Sequence, residues 1–174
     1  MKQGYIVGGI GVLVIGIGII LSIPDSKNNK QVDSDAESAQ VGQEIEIQEA
    51  AHIEDGAQHA PYNSNPPTSG PHYVQPAAWG IYDKELPDEQ LIHNEEHGGI
   101  WISYKDIDSE TMEKLNIIGK SNPGSVVVTP RAANDSKIAL ASWGRLEKLD
   151  TYDEAKILEF IKANKNKSPE PIAR

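Results

Sequence analysis

The chain has 174 residues, with 16 Lys and Arg against 26 Asp and Glu, no cysteine, and a formal net charge of −10. An acidic chain of this kind argues against a nucleic-acid partner, whose phosphates need a basic face. Lack of cysteine excludes a disulfide framework and thiolate metal sites, so folding must rest on an apolar core, helped at most by a metal.

In chain order, the first feature is positions 4–23, GYIVGGIGVLVIGIGIILSI, which carry no charge. At about 1.5 Å per residue, a helix of this length crosses a hydrocarbon core of about 30 Å. A cleaved signal peptide competes with that reading, but its apolar stretch runs about 7 to 15 residues and ends at a small-residue site. Ile23-Pro24-Asp25-Ser26-Lys27 offers no such site. Residues 1–23 are therefore expected to form a cytoplasmic stub and an uncleaved transmembrane helix. Lys2 before the span is nearly balanced by Lys27 and Lys30 after it. The short head and long polar remainder favour a single-pass protein whose C-terminal domain is extracytoplasmic. Residues 24–44 have almost nothing apolar to bury and read as a disordered tether. Residues 45–174 read as one globular domain.

From 52 to 76 the chain is rich in Pro, Gly, Asn and Ser. The prolines in Tyr62-Asn63-Ser64-Asn65-Pro66-Pro67-Thr68-Ser69-Gly70-Pro71-His72-Tyr73 fix φ and restrict the residues before them, which predicts a stiff, ordered loop. Pro87 to Glu96 suits a short helix closed by Gly98-Gly99, and Ile100 to Tyr104 alternates like a strand. Asp108 or Ser109 can cap a helix ending at Gly119 with Met112, Leu115 and Ile118 on its inner face. Ser125 to Thr129 and Ile138 to Trp143 read as strands. Thr151-x-x-Glu154 fits a capping box for a last helix to about Lys165, with Leu158 and Ile161 inward. The fold class that follows is α+β: one small domain with a short mixed or antiparallel sheet and two to three helices, plus the N-terminal transmembrane helix.

All five histidines fall between positions 52 and 97. Neutral imidazole is the commonest protein metal ligand and, without Cys, the best available here for copper or zinc. On a helix, His93 and His97 share one face with Glu96 beside them. His72, on the stiff loop, is the natural third ligand and His59 the fourth, leaving His52 as the expected outlier. A plainer alternative is that each imidazole bonds a backbone carbonyl and locks the loop. His93-Asn94-Glu95-Glu96-His97 also fits H-x-x-E-H, in which Glu96 would activate a metal-bound water for hydrolysis. That reading needs a long helix and a peptide-sized cleft, whereas two glycines and a strand follow at once. No other catalytic constellation stands out, and the chain reads as a binding protein rather than an enzyme.

The proline block from Tyr62 to Tyr73, Trp79-Gly80-Ile81-Tyr82, and His93-Asn94-Glu95-Glu96-His97-Gly98-Gly99 together resemble the signature blocks of the domain-of-unknown-function 3105 family. The likeness extends to His52-x-x-x-Gly56 and Ala141-Ser142-Trp143-Gly144. The resemblance implies a protein with one N-terminal membrane segment and a motif position at each histidine; the family has no activity to carry over. Glu95 departs from its pattern, which has an apolar, core-facing residue there. The leading reading is a membrane-tethered domain holding copper or zinc through His72, His93 and His97 with His59 or Glu96. The alternative is a metal-free module whose proline loop docks a protein partner.

Overall fold

The computed structural model describes residues 40–174, which lie within one compact unit. In chain order the elements are β1 (Gln43–Glu44), β2 (His52–Ile53), β3 (His72–Tyr73), β4 (Gly80–Ile81), α1 (Asp88–Glu96), β5 (Ile100–Tyr104), α2 (Ser109–Ser121), β6 (Val126–Pro130), β7 (Ile138–Ser142), β8 (Arg145–Leu149) and α3 (Glu154–Asn164). The expected membrane span at 4–23 and most of the expected tether lie outside the described residues. Among the described residues, no helix is long and apolar enough to cross a membrane.

The three central strands set the architecture. Alternate residues of a strand point to opposite faces, and in β5, β6 and β7 both sets are apolar and almost wholly buried. Ile100, Ile102, Val126, Val128, Ile138 and Leu140 pack with Leu115 and Ile118 of α2 and with Ile157, Phe160 and Ile161 of α3. Trp101, Val127, Ala139 and Ala141 join a second cluster that contains Leu91 of α1 and Ala77 of the preceding loop. A sheet covered on both faces results. Its order is β1-β8-β7-β5-β6-β4, with β5 parallel to β6 and antiparallel to β7. The fold is thus α+β, with a mixed six-stranded sheet and three helices.

Helix faces depart from the sequence reading by one position in two places. Asp108 caps α2, its carboxylate accepting from the Thr111 amide at 2.7 Å. Leu115 and Ile118 are buried as expected, whereas Met112 is 38% exposed. The cap of α3 is Asp153, not Thr151; it accepts from the Lys156 amide at 3.1 Å. The later start rotates the apolar stripe, so Ile157, Phe160 and Ile161 face the sheet and Leu158 is 44% exposed. Strand β8 was not anticipated, because Arg145-Leu146-Glu147-Lys148-Leu149 buries only its two leucines.

The stiff loop is ordered by its own polar groups. The Tyr62 hydroxyl donates to the Pro71 carbonyl at 2.6 Å, and the Ser69 hydroxyl accepts from the Gln48 amide at 2.9 Å. Arg131 reaches into it, bonding Asn65 while forming a two-pronged pair with Asp88 at 2.8 and 2.7 Å. Two short parallel strands sit within or beside it, His52 pairing opposite His72 and Ile53 opposite Tyr73.

The boundary at residue 44 is corrected by the sheet edge. Gln43 and Glu44 pair antiparallel with Leu146 and Arg145, and the Asn164 side chain bonds both the amide and the carbonyl of Val41, at 3.3 and 2.9 Å. The folded chain therefore begins before Ile45. A protein starting at residue 45 is expected to lose about 1 kcal/mol of hydrogen bonding relative to one starting at residue 40. Its thermal midpoint by circular dichroism should fall by about 3 to 6 °C. Equal midpoints would return residues 40–44 to the tether.

Candidate metal centre

Helix α1 ends where the site begins. Its last carbonyls have no partner inside the helix. The turn after the helix caps three of them, with the amides of His97, Gly99 and Gly98 donating to His93, Asn94 and Glu95. The C-terminal segment takes the next three: the Glu96 carbonyl accepts from Glu170 at 3.1 Å, His97 from Ile172 and Ala173 at 3.0 and 3.1 Å, and Gly98 from Asn166 at 2.9 Å. Gly98 has φ +83, and a Cβ there would meet the Asn166 side chain at 2.5 Å, so only glycine lets the segment approach this closely. On the opposite flank the Asn94 side chain bonds both the amide and the carbonyl of Ala77, each at 2.9 Å. The turn bearing His93, Glu96 and His97 is therefore held on two sides.

Two imidazoles are locked in orientation by carbonyls. His72 Nδ1 lies 2.8 Å from the Gly70 carbonyl, and His93 Nδ1 lies 2.6 Å from that of Tyr73. A carbonyl only accepts, so each Nδ1 carries the proton and each Nε2 presents a lone pair. Burial is the main cause that lowers the His93 pKa, aided by neighbouring His97, His72 and His52, which keeps its ring neutral. His72 Nε2 stands 2.9 Å from Glu96 Oε2. Despite this ion-pair distance, neither atom makes a hydrogen bond of acceptable geometry among the described residues. With its proton on Nδ1 facing Gly70, a neutral His72 ring turns an acceptor toward an acceptor.

Around this pair the other rings converge. The His72 and His93 ring centroids are 5.0 Å apart, and His97 lies 4.4 Å from His93, with their Nε2 atoms at 3.2 Å. The expected outlier, His52, belongs to the cluster, with its ring 4.8 Å from His72 and 5.1 Å from His93. One ligand atom from each of His52, His72 and His93 falls within 4.8 Å of the others, a grouping able to hold a metal ion. His52 joins because β2 lies in register beside β3, a pairing with no local sequence signal. Its side chain is 51% exposed, against 1% for His72, so the cluster opens to solvent on the His52 side.

The sequence profile of the family described as "protein of unknown function (DUF3105)" matches residues 52–174. The chain belongs to this family. Among curated proteins and among solved structures, none matches the chain.

Within the DUF3105 domain, His59 does something different from the role expected of it. It lies outside the cluster, with Nε2 3.1 Å from Glu89 Oε1 and Nδ1 2.8 Å from the Ala60 carbonyl. Both nitrogens face acceptors, and the Glu89 bond is the main cause raising its pKa above 6.5. His59 is a cationic latch between the loop and α1. In the H-x-x-E-H reading Glu96 would stand beside the ion as a base; here its Oε2 lies 2.9 Å from His72 Nε2, among the candidate ligand atoms themselves.

Glu95 is fully buried, and neither carboxylate oxygen has a hydrogen-bond partner among the described residues. Desolvation, with Asp88 second, raises its pKa well above the ordinary value. A carboxyl raised in the folded state loses stability for the protein as pH climbs from its unfolded pKa through its folded one. Glu95→Leu is therefore expected to stabilise the protein at pH 7 by on the order of 1 to 3 kcal/mol in urea melts, with a smaller gain at pH 4. No gain at either pH would show that the carboxylate has a partner. His59 has the same sign for a different reason, since its raised pKa adds stability that is complete below pH 6.5 and lost above the folded value. The destabilisation caused by Glu89→Gln should accordingly be larger at pH 5.5 than at pH 8.5; a pH-independent difference would contradict the latch.

Proposed function

We propose that this DUF3105 domain binds one transition-metal ion, copper or zinc, through His52, His72 and His93, with Glu96 and His97 as the flanking donors. The reading extends to the whole chain as a single-pass membrane protein with the domain outside the cytoplasm, supported by the uncharged run at 4–23.

One observation carries the metal reading. His72 Nε2 and Glu96 Oε2 face each other at 2.9 Å, almost wholly buried, and with the Nδ1 proton turned to Gly70 a neutral His72 ring has none left to join them. Two lone pairs at that range repel, and a cation between them turns the repulsion into two bonds. Ligand atoms on one tetrahedral zinc sit about 3.3 Å apart for bonds of about 2.0 to 2.1 Å. The His72–Glu96 and His93–His97 pairs already approach that spacing, at 2.9 and 3.2 Å. The carbonyl locks on His72 and His93 are the outer-shell contacts that orient imidazole ligands. A donor set of nitrogen and carboxylate oxygen, with no sulfur, suits Cu(II) or Zn(II) and disfavours Cu(I).

Residues 37–174, the compact unit, are the material for the test. Purified without chelator or affinity metal, the protein should carry about one equivalent of copper or zinc by elemental mass spectrometry. His72→Ala with His93→Ala should weaken binding more than about 100-fold, beyond the effect of losing an outer-shell partner. A metal-free protein that neither takes up metal nor gains thermal stability from it would overturn the reading and favour the protein-docking alternative.

A further inference from the structure

The ligands of this site come from parts of the molecule held with very different strength. His72 and His93 are buried and locked, whereas His52 comes from a segment, 45–57, in which no residue is buried. Apart from Ile45, which packs partly buried against the second apolar cluster, that segment is attached mainly by polar contacts. The Ile45 amide bonds the Gly144 carbonyl at 3.0 Å, the Gln48 amide the Ser69 hydroxyl at 2.9 Å, the Ala51 carbonyl the His72 amide at 2.9 Å, and the Gly56 amide the Tyr73 hydroxyl at 3.1 Å. Strand pairing adds two residues, His52 and Ile53. Segments with little buried apolar surface and solvent-facing hydrogen bonds open at the low end of a protein's stability range.

Resting on the metal-binding reading, we infer that the bound ion is a clamp: through His52 it fastens segment 45–57 to the body of the domain, so that metal occupancy governs how often this segment opens. His52 is the only member of the triad that the segment contributes, whereas the His72 and His93 rings are held by the Gly70 and Tyr73 carbonyls, which lie outside it. An ion bonded to all three must lose one ligand before the segment can leave. Linkage makes the coupling reciprocal. The factor by which docking of His52 tightens metal binding equals the factor by which metal lowers the equilibrium constant for opening. The segment joins the sheet edge at Gln43–Glu44 to the stiff loop, so the ion acts as a joint on the stretch by which the preceding chain enters the domain.

Hydrogen–deuterium exchange on the full chain in detergent micelles tests this, with chelator, with saturating zinc, and with magnesium as a control, alongside elemental analysis of each sample. Zinc should slow amide exchange in 45–57 by on the order of ten-fold or more and leave the surface of α2 unchanged. His52→Ala should retain zinc with weaker affinity, keep native exchange in β5 and β6, and show no slowing of 45–57. The affinity lost in His52→Ala should match the slowing seen in the unsubstituted chain. One equivalent of zinc with an unchanged segment, or equal slowing in His52→Ala, overturns the clamp and leaves metal binding standing. A chain that retains no zinc at all overturns both.

Discussion

The backbone carbonyls of Glu96, His97 and Gly98, where α1 gives way to β5, are the constraint on which the site depends. A helix that ends inside a protein must find donors for its last carbonyls or bear the cost of burying them bare. Here the residues after α3 fold back to supply them, so Glu96, His97 and Gly98 are bonded by backbone amides from 166–173. That contact holds the one helical turn that carries His93, Glu96 and His97. The same turn leads through Gly98-Gly99 into β5, which pairs with β6 and β7 at the centre of the sheet. Site and core thus share a single rigid connection, and the site's geometry inherits the stability of the sheet.

The domain bears an electrostatic cost at this turn. His72, His93, Glu95 and Glu96 are all nearly inaccessible to solvent, and burying ionisable groups without full pairing is unfavourable. Both buried rings bond carbonyls through Nδ1, and burial lowers the His93 pKa, which favours its uncharged form. Glu95 has no such relief, and a core composed only for stability would carry an apolar residue there. By contrast the Asp88–Arg131 pair on the first turn of α1 is two-pronged and further tied to Asn65 and Asn134. The start of the helix is organised for stability, and its end places lone pairs together.

A graded site follows from this layout. Ligands on the inner side are fixed by the loop and the helix, while the one on the outer side hangs on a segment with little buried surface. The cluster opens to solvent beside His52, so an ion would approach it from that side. The family match begins at His52, so the rim ligand belongs to the shared domain and the edge strand at 43–44 does not.

Much of the fold was legible in the sequence because its signals are local. Alternation in Ile100 to Tyr104 and in Val126 to Pro130 marks strands, the Asp108 cap marks the start of α2, and the prolines and glycines mark the loop and the end of α1. Those features depend on neighbours within a few positions. The errors were also local: the cap of α3 is Asp153, two residues past the expected one, Leu158 faces outward, and the polar residues of β8 hid a strand whose two leucines bury on opposite faces of the sheet. Clustering of histidines between 52 and 97 pointed to the site's neighbourhood and to His72, His93 and Glu96. Tertiary structure alone decided which rings meet. His52 enters and His59 leaves because β2 lies beside β3 and because Glu89 on α1 captures His59, contacts that join residues 20 and 30 positions apart. No residue pattern encodes the direction of a ring, which is set by where its Nδ1 proton finds a carbonyl once the chain has folded.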